Sequence, residues 1–158
     1  MKTLIIVPRY NALGRYIMPL GILYVAAAAK QAGCEILTLY LNHTAAPARE
    51  TLKKIIEEER IACVACGGLS GEFPIIYSLF QSVREIAPNV TIICGGGLVT
   101  AEPEVAMRAL EYADIGIIGE GDFTFPALLH CLEDDGDLHE LKSIIFHDGN
   151  QWVQTSPD

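Results

Sequence analysis

Apolar residues in this chain arrive in short dense runs, separated by longer stretches with helical spacing. Five runs, at residues 3–7, 35–41, 61–66, 90–94 and 114–118, are rich in β-branched residues and alternate little. That pattern predicts strands buried on both faces of a sheet. Between them the apolar period lengthens to that of helices. The first predicted helix runs from Pro19 to Ala32, with a slim face at Ala26 to Ala29 and Gly33 as its C-cap. The second, Ala48 to Arg60, gathers Leu52, Ile55 and Ile56 on one side and leaves Lys53, Lys54 and Glu57 to Glu59 to solvent. Helices from Pro74 to Ile86, Pro103 to Tyr112 and Phe123 to Glu133 complete the series, with Glu102 and Glu104 beside the positive end of the fourth.

Five strands alternating with five helices predict an α/β fold: a doubly wound five-stranded parallel sheet in a flavodoxin-like (Rossmann-like) three-layer sandwich. Residues 143–147 and 151–154 flank Asp148-Gly149 and add a small C-terminal hairpin. The expected division is an α/β domain over 1–135, then hairpin and the start of a linker over 136–158. A dinucleotide-binding fold needs GxGxxG directly after the first strand. PRYNALGRY stands there instead, which favours the flavodoxin-like strand order and counts against NAD or FAD.

Charge narrows the function. The 158 residues carry 20 acidic and 11 basic side chains, a net −9, so no nucleic-acid surface is expected. The longest apolar run, residues 17–29, is broken by Pro19 and Gly21 and falls short of the roughly 18 residues a membrane span needs. The N-terminal apolar run is also too short for a signal peptide, so a cytoplasmic protein is expected. Cys34, Cys63, Cys66, Cys94 and Cys131 are scattered through apolar stretches, as reduced core thiols are. Cys63 and Cys66 form a CxxC, but within a predicted strand, where they point to opposite faces and share no metal.

Three strands end in loops of small residues: GGLSG after the third, GGGLVT after the fourth and GEGD after the fifth. At the carboxyl edge of an open α/β sheet, where ligands bind, such loops would floor a groove with backbone amides. The candidate cofactor-binding residues are therefore Leu69, Ser70 and Gly71, then Gly95, Gly96, Gly97 and Leu98, then Gly119, Glu120 and Gly121. Ser70 offers a hydroxyl, while Glu120 either bonds a ligand amide or caps the next helix. The plain alternative for each loop is a tight strand-to-helix turn. On the ligand reading, a bulky residue at Gly96 removes the ligand and spares the fold.

The segments PLGILYVAAAAKQAG, Leu69-Ser70, CGGGLVTAEPE, ADIGIIGEGDFTFPALL and IIFHDGNQWVQTSP occur in an order and spacing that resembles the N-terminal cobalamin-binding domain of cobalamin-dependent radical SAM proteins. The resemblance covers essentially the whole chain. It implies a corrinoid over the carboxyl edge with its nucleotide tail threaded into the sheet. Ser70 matches the family's serine after the third strand, and Gly95 and Gly96 its glycine pair. The Asp-x-His-x-x-Gly motif that places histidine on cobalt in other cobalamin proteins is absent, and His43, His130, His139 and His147 lie outside the first loop. The resemblance thus implies cobalamin without a protein histidine on cobalt.

No CxxxCxxC occurs, so the 4Fe–4S cluster and S-adenosylmethionine are expected only in a radical SAM domain of the same polypeptide, absent from this chain. No catalysis is expected from the chain alone; the full-length protein would be a radical SAM enzyme, a methyltransferase. Two other readings stand beside this one. A scaffold or interaction domain that lost its corrinoid fits the bulky first loop with Arg9, Tyr10, Arg15 and Tyr16. A flavin or nucleotide binder would need a Ser/Thr/Gly-rich phosphate loop where PRYNALGRY stands.

Overall fold

The computed structural model describes residues 1–9 and 19–157. Five parallel strands, β1 (Lys2–Val7), β2 (Glu35–Tyr40), β3 (Cys63–Gly67), β4 (Thr91–Gly95) and β5 (Ile115–Ile117), form the body of a mixed sheet. Their spatial order is β2-β1-β3-β4-β5, the flavodoxin-like arrangement. The hairpin strands β6 (Ile144–His147) and β7 (Trp152–Gln154) continue this same sheet, antiparallel, for seven strands in all. Ile115 pairs with Phe146 and Ile117 with Ile144. Without that partner β5 would present bare amides and carbonyls at an apolar edge.

Period-two alternation sends the strand side chains to opposite faces. Ile5, Cys63, Ala65, Ile93, Ile115 and Ile117 meet α1 (Leu20–Gln31) and α6 (Gly121–Glu133). Leu4, Ile6, Val64, Cys66, Ile92 and Cys94 pack on the other face, against α2 (Ala48–Glu59), α3 (Phe73–Ile86), α4 (Gly97–Ala101) and α5 (Pro103–Ala109). The result is the three-layer sandwich, with Phe80 and Phe125 each buried to within 1% on its own side.

The short helix α4 is an element the hydropathy pattern did not announce. Leu98 and Val99 are drawn into the core, and the chain breaks at Glu102 before α5 starts on Pro103. Leu98-Val99-Thr100 has no period of its own, so a one-turn helix there leaves no sequence signal. The turn after α1 follows expectation: Gly33 has φ +89°, and Cys34 N–H donates to Ala29 O at 3.0 Å. Arg84 on α3 ties three segments together by donating to Val90 O, Tyr112 O and Asp114 Oδ2, while Ile92 N–H donates to the same carboxylate.

Gly116 sits at the most crowded point of β5. A Cβ there would lie 2.6 Å from Ile145 Cγ2 and 2.9 Å from both Met107 Sδ and Val99 Cγ1. Gly116→Ala is expected to destabilise the fold by about 1–3 kcal/mol through overpacking. Urea denaturation checks this; an unchanged midpoint would mean the β5–β6 layer is looser than its contacts indicate.

Candidate functional site

Register sets the floor of the site. Ile5 pairs with Ala65 and Ala65 with Ile93, forming one row across β1, β3 and β4 on the α1/α6 face. Ala65, the smallest of the three, leaves a hollow in the row. Ile117 flanks it from β5, and Ile22, Val25 and Phe125 close the far side from α1 and α6. The hollow opens upward to the carboxyl edge as a cavity of about 420 Å³. Small-molecule sites commonly occupy about 300–1,000 Å³ and are mostly hydrocarbon with a few polar groups, as here.

The three small-residue loops form the mouth. Gly67 ends β3 and leads into Gly68 and Leu69, Gly95 ends β4 and leads through Gly96 to Gly97 at the start of α4, and Gly119 and Glu120 lead from β5 to Gly121 at the start of α6. The first two loops are braced against each other. Gly68 N–H donates to Gly95 O at 3.3 Å and Leu98 N–H to Gly68 O at 2.9 Å. A Cβ on Gly67 would lie 3.1 Å from the Gly95 carbonyl, and one on Gly96 only 2.8 Å from Gly68 O. Gly96 also has φ +81°, a conformation L side chains rarely adopt. Its glycine is thus required by the fold itself. The expected separation, ligand lost and fold spared on enlarging Gly96, does not suit a residue packed backbone on backbone.

Of the residues singled out from sequence, Leu69, Gly95, Gly96, Gly97, Gly119, Glu120 and Gly121 line the cavity. Ser70, Gly71 and Leu98 are outside its wall. Ser70 and Gly71 sit exposed on a single 3₁₀ turn, Ser70–Glu72, and Leu98 is buried on the opposite side of the sheet with α4. Reading by loops alone missed Ala65, Gly21, Ile22, Val25, Phe125 and Glu72. A small residue in mid-strand and a glycine in the first turn of a helix were the available signals.

Two carboxylates stand at this mouth. Glu72 Oε2 accepts from Leu69 N–H at 2.7 Å, and a Cβ on Gly68 would lie 2.3 Å from that oxygen. Glu120 precedes α6 without capping it: its side chain accepts nothing from the helix N–H groups. Arg9 is directed elsewhere, donating from Nε to Leu41 O and from Nη2 to Thr44 O. The remainder of the first loop, residues 10–18, on which the scaffold reading and the histidine-free first loop rest, lies outside the described residues.

The cysteines are not arranged around a centre. Cys63 faces α1 and α6, Cys66 and Cys94 the other helical layer, and Cys34 and Cys131 are half-buried near α1 and α6. Among the described residues no three metal-ligating side chains converge. Burial pushes the Cys63 and Cys94 thiols up to about 12, and Cys66 well above its ordinary value. A raised value means less thiolate at a given pH, and thiolate is the reacting species. Iodoacetamide at pH 8 should therefore modify Cys34 and Cys131 first and the other three only after unfolding. Mass spectrometry of the native protein reads this directly; early labelling of Cys66 would contradict the packing.

The sheet order, the edge cavity and its glycine loops define a three-layer α/β cofactor-binding domain. Residues 10–129 match the family model of the B12 binding domain, and the chain belongs to that family. It is 26% identical over 171 residues to the anaerobic magnesium-protoporphyrin IX monomethyl ester cyclase of Synechocystis, covering 99% of this chain and 33% of that protein. Among solved structures it resembles the radical S-adenosylmethionine methyltransferase TsrM from Kitasatospora setae, determined with cobalamin and a 4Fe–4S cluster bound. The TM-score is 0.86 at 16% identity, covering 99% of this chain and 29% of TsrM. The cobalamin-dependent S-adenosylmethionine radical enzyme OxsB matches with TM-score 0.74 and 12% identity, over 99% of this chain and 22% of that one. The chain thus spans about a third or less of these relatives and has the fold of the B12 domain in cobalamin-dependent radical SAM enzymes. Among the described residues no helix is long and apolar enough to cross a membrane.

The residues present fit such a cofactor. Among the described residues an added Cβ at Gly21 or Gly119 would meet nothing within 4 Å, so the cradle between α1 and the loop after β5 has open space there.

Proposed function

We propose that this chain is the cobalamin-holding module of a cobalamin-dependent radical SAM protein, a methyltransferase, and that it works with a radical SAM domain of the same polypeptide. The observation that carries the reading is the apolar cavity opening between three glycine loops at the carboxyl edge of β3, β4 and β5. Bound cobalamin would supply a cobalt centre able to carry a methyl group. This chain's part is to hold and orient it. The row Ile5–Ala65–Ile93 and the side chains Ile22, Val25 and Phe125 take the tail out of water, and the loops of Leu69, Gly95 to Gly97 and Gly119 to Gly121 support the ring. Ser70, Gly71 and Leu98 keep a role only if the ring extends beyond the cavity to the 3₁₀ turn and α4. The 4Fe–4S cluster and S-adenosylmethionine belong to the second domain, since Cys63, Cys66 and Cys94 are buried on opposite sides of the sheet and Cys34 and Cys131 lie half-buried near α1 and α6. The segment after β7 would then lead toward that domain, with 1–135 as the α/β unit.

The cobalt is expected to have no protein histidine. His43, His130, His139 and His147 are all outside the cavity wall. A flavin or nucleotide binder is disfavoured because its phosphate loop should follow β1 and be rich in Ser, Thr and Gly, and PRYNALGRY stands there. The experiment is incubation with hydroxocobalamin, desalting and an absorption spectrum. Corrinoid absorbance travelling with the protein is expected, and its absence would favour the scaffold alternative. Electron paramagnetic resonance of the cob(II)alamin form then tests the ligand: a nitrogen splitting abolished by replacing one histidine would reject the histidine-free arrangement.

A further inference from the structure

We propose that Glu72 and Glu120 make the cavity selective for a corrinoid whose peripheral arms are amides, against the same ring with carboxylate arms. This rests on the cobalamin reading and adds a specificity to it. Among the described residues lining the cavity only these two carry a charge, and both are acidic; apart from Cys66 the rest of the wall is hydrocarbon or glycine backbone. Glu72 is held in place by the bond from Leu69 N–H to its Oε2, which leaves Oε1 to receive a donor from above. Glu120 bonds no helix N–H and has no ion-pair partner among the described residues, so both its oxygens are available at the rim.

A carboxylate has only acceptor sites, so it is satisfied by N–H or cationic groups and by nothing else. The perimeter of cobalamin carries primary amide arms, each with two N–H donors. Hydrolysis of one arm exchanges those donors for a negative charge. Placed against Glu72 or Glu120 in a partly desolvated mouth, that arm loses its hydrogen bonds and gains like-charge repulsion. Shape differs little between amide and acid, so the charge at the rim is what separates them. The net −9 of the chain acts in the same direction at longer range.

The test compares hydroxocobalamin with its separated monocarboxylic acid isomers, each bound at neutral pH and low salt and quantified by absorbance after desalting. The protein should hold cobalamin at least about tenfold better than one or more of the isomers, with the ratio shrinking as salt screens the repulsion. In Glu120→Gln and in Glu72→Gln/Glu120→Gln the ratio should fall toward one, whatever happens to absolute retention. The single variant guards against disturbance of the Leu69 turn. Retention of cobalamin with no preference in the parent protein, or a tenfold preference that survives both variants, overturns this inference and leaves the cofactor reading standing. No retention of cobalamin at all overturns both.

Discussion

Replacing Gly21 with leucine is expected to leave the fold intact and to abolish corrinoid retention. Gly21 is the second residue of α1 and lines the cavity mouth, and an added Cβ there would meet none of the described residues within 4 Å. A leucine would cost the fold nothing in contacts and would relieve the helix of its glycine, so stability should stay within about 1 kcal/mol of the parent or rise slightly. The isobutyl group must project into the space that the tail or ring would occupy. Retention should weaken by at least about tenfold, since the cavity is near the lower end of the usual size range and has little room to spare. Thermal melting and the desalting assay together decide. A variant that melts like the parent and still carries cobalamin would show that the ligand lies elsewhere.

Gly96→Ala should do the reverse, damaging the fold before any ligand is considered. With φ +81° and ψ −170° the backbone lies in a region essentially reserved for glycine, costing an alanine about 1–3 kcal/mol. The Cβ would also lie 2.8 Å from Gly68 O and 2.9 Å from Gly68 N, backbone atoms that are themselves hydrogen-bonded to Gly95 and Leu98. Overpacking of this kind adds roughly 1–3 kcal/mol. A total loss of about 3 kcal/mol should appear as a lower urea midpoint with an unchanged slope. An alanine variant of parental stability would mean that the β3 and β4 loops separate readily, against the bracing described above. The pair of variants therefore separates two uses of glycine that look identical in sequence, space for a ligand at 21 and space for backbone at 96.

The strands were legible because a strand buried on both faces must be apolar throughout, as Ile92, Ile93 and Cys94 are. The strand order was not legible in itself; the loop after the first strand only favoured the flavodoxin-like order over the dinucleotide-binding one, whereas the hairpin was legible from its Asp148-Gly149 turn. That the hairpin extends the main sheet was not legible, because it depends on the pairing of Ile115 with Phe146, 31 positions apart in the chain. The glycine loops were legible as a mouth; the interior of the cavity was not. Ala65, Ile22, Val25 and Phe125 reach it from strand and helix positions whose composition suits an ordinary core equally well. The placement of Ser70, Gly71 and Leu98 escaped sequence reasoning for a local reason. One 3₁₀ turn swings the first two outward, and the single turn of α4 rotates the third inward.

The bracing between the loops after β3 and β4 makes the two sides of the mouth unlike each other mechanically. With Gly67 seated on Gly95 and Gly96 on Gly68, a guest cannot wedge these loops apart without first breaking their shared hydrogen bonds. They form a fixed jaw. The opposite side is held differently: Gly119 N–H donates to Thr100 Oγ1 at 2.9 Å and a Cβ on Gly121 would lie 3.1 Å from Val25 Cγ2, while among the described residues nothing lies within 4 Å of where a Cβ would stand on Gly21 or Gly119. Movement that admits a large guest is then expected at the first turn of α1, where Gly21 borders open space. Amide exchange should be slow at Gly68, Leu98 and Gly119, whose N–H groups are bonded, faster around Gly21 in the first turn of α1, and slowed there when the mouth is filled.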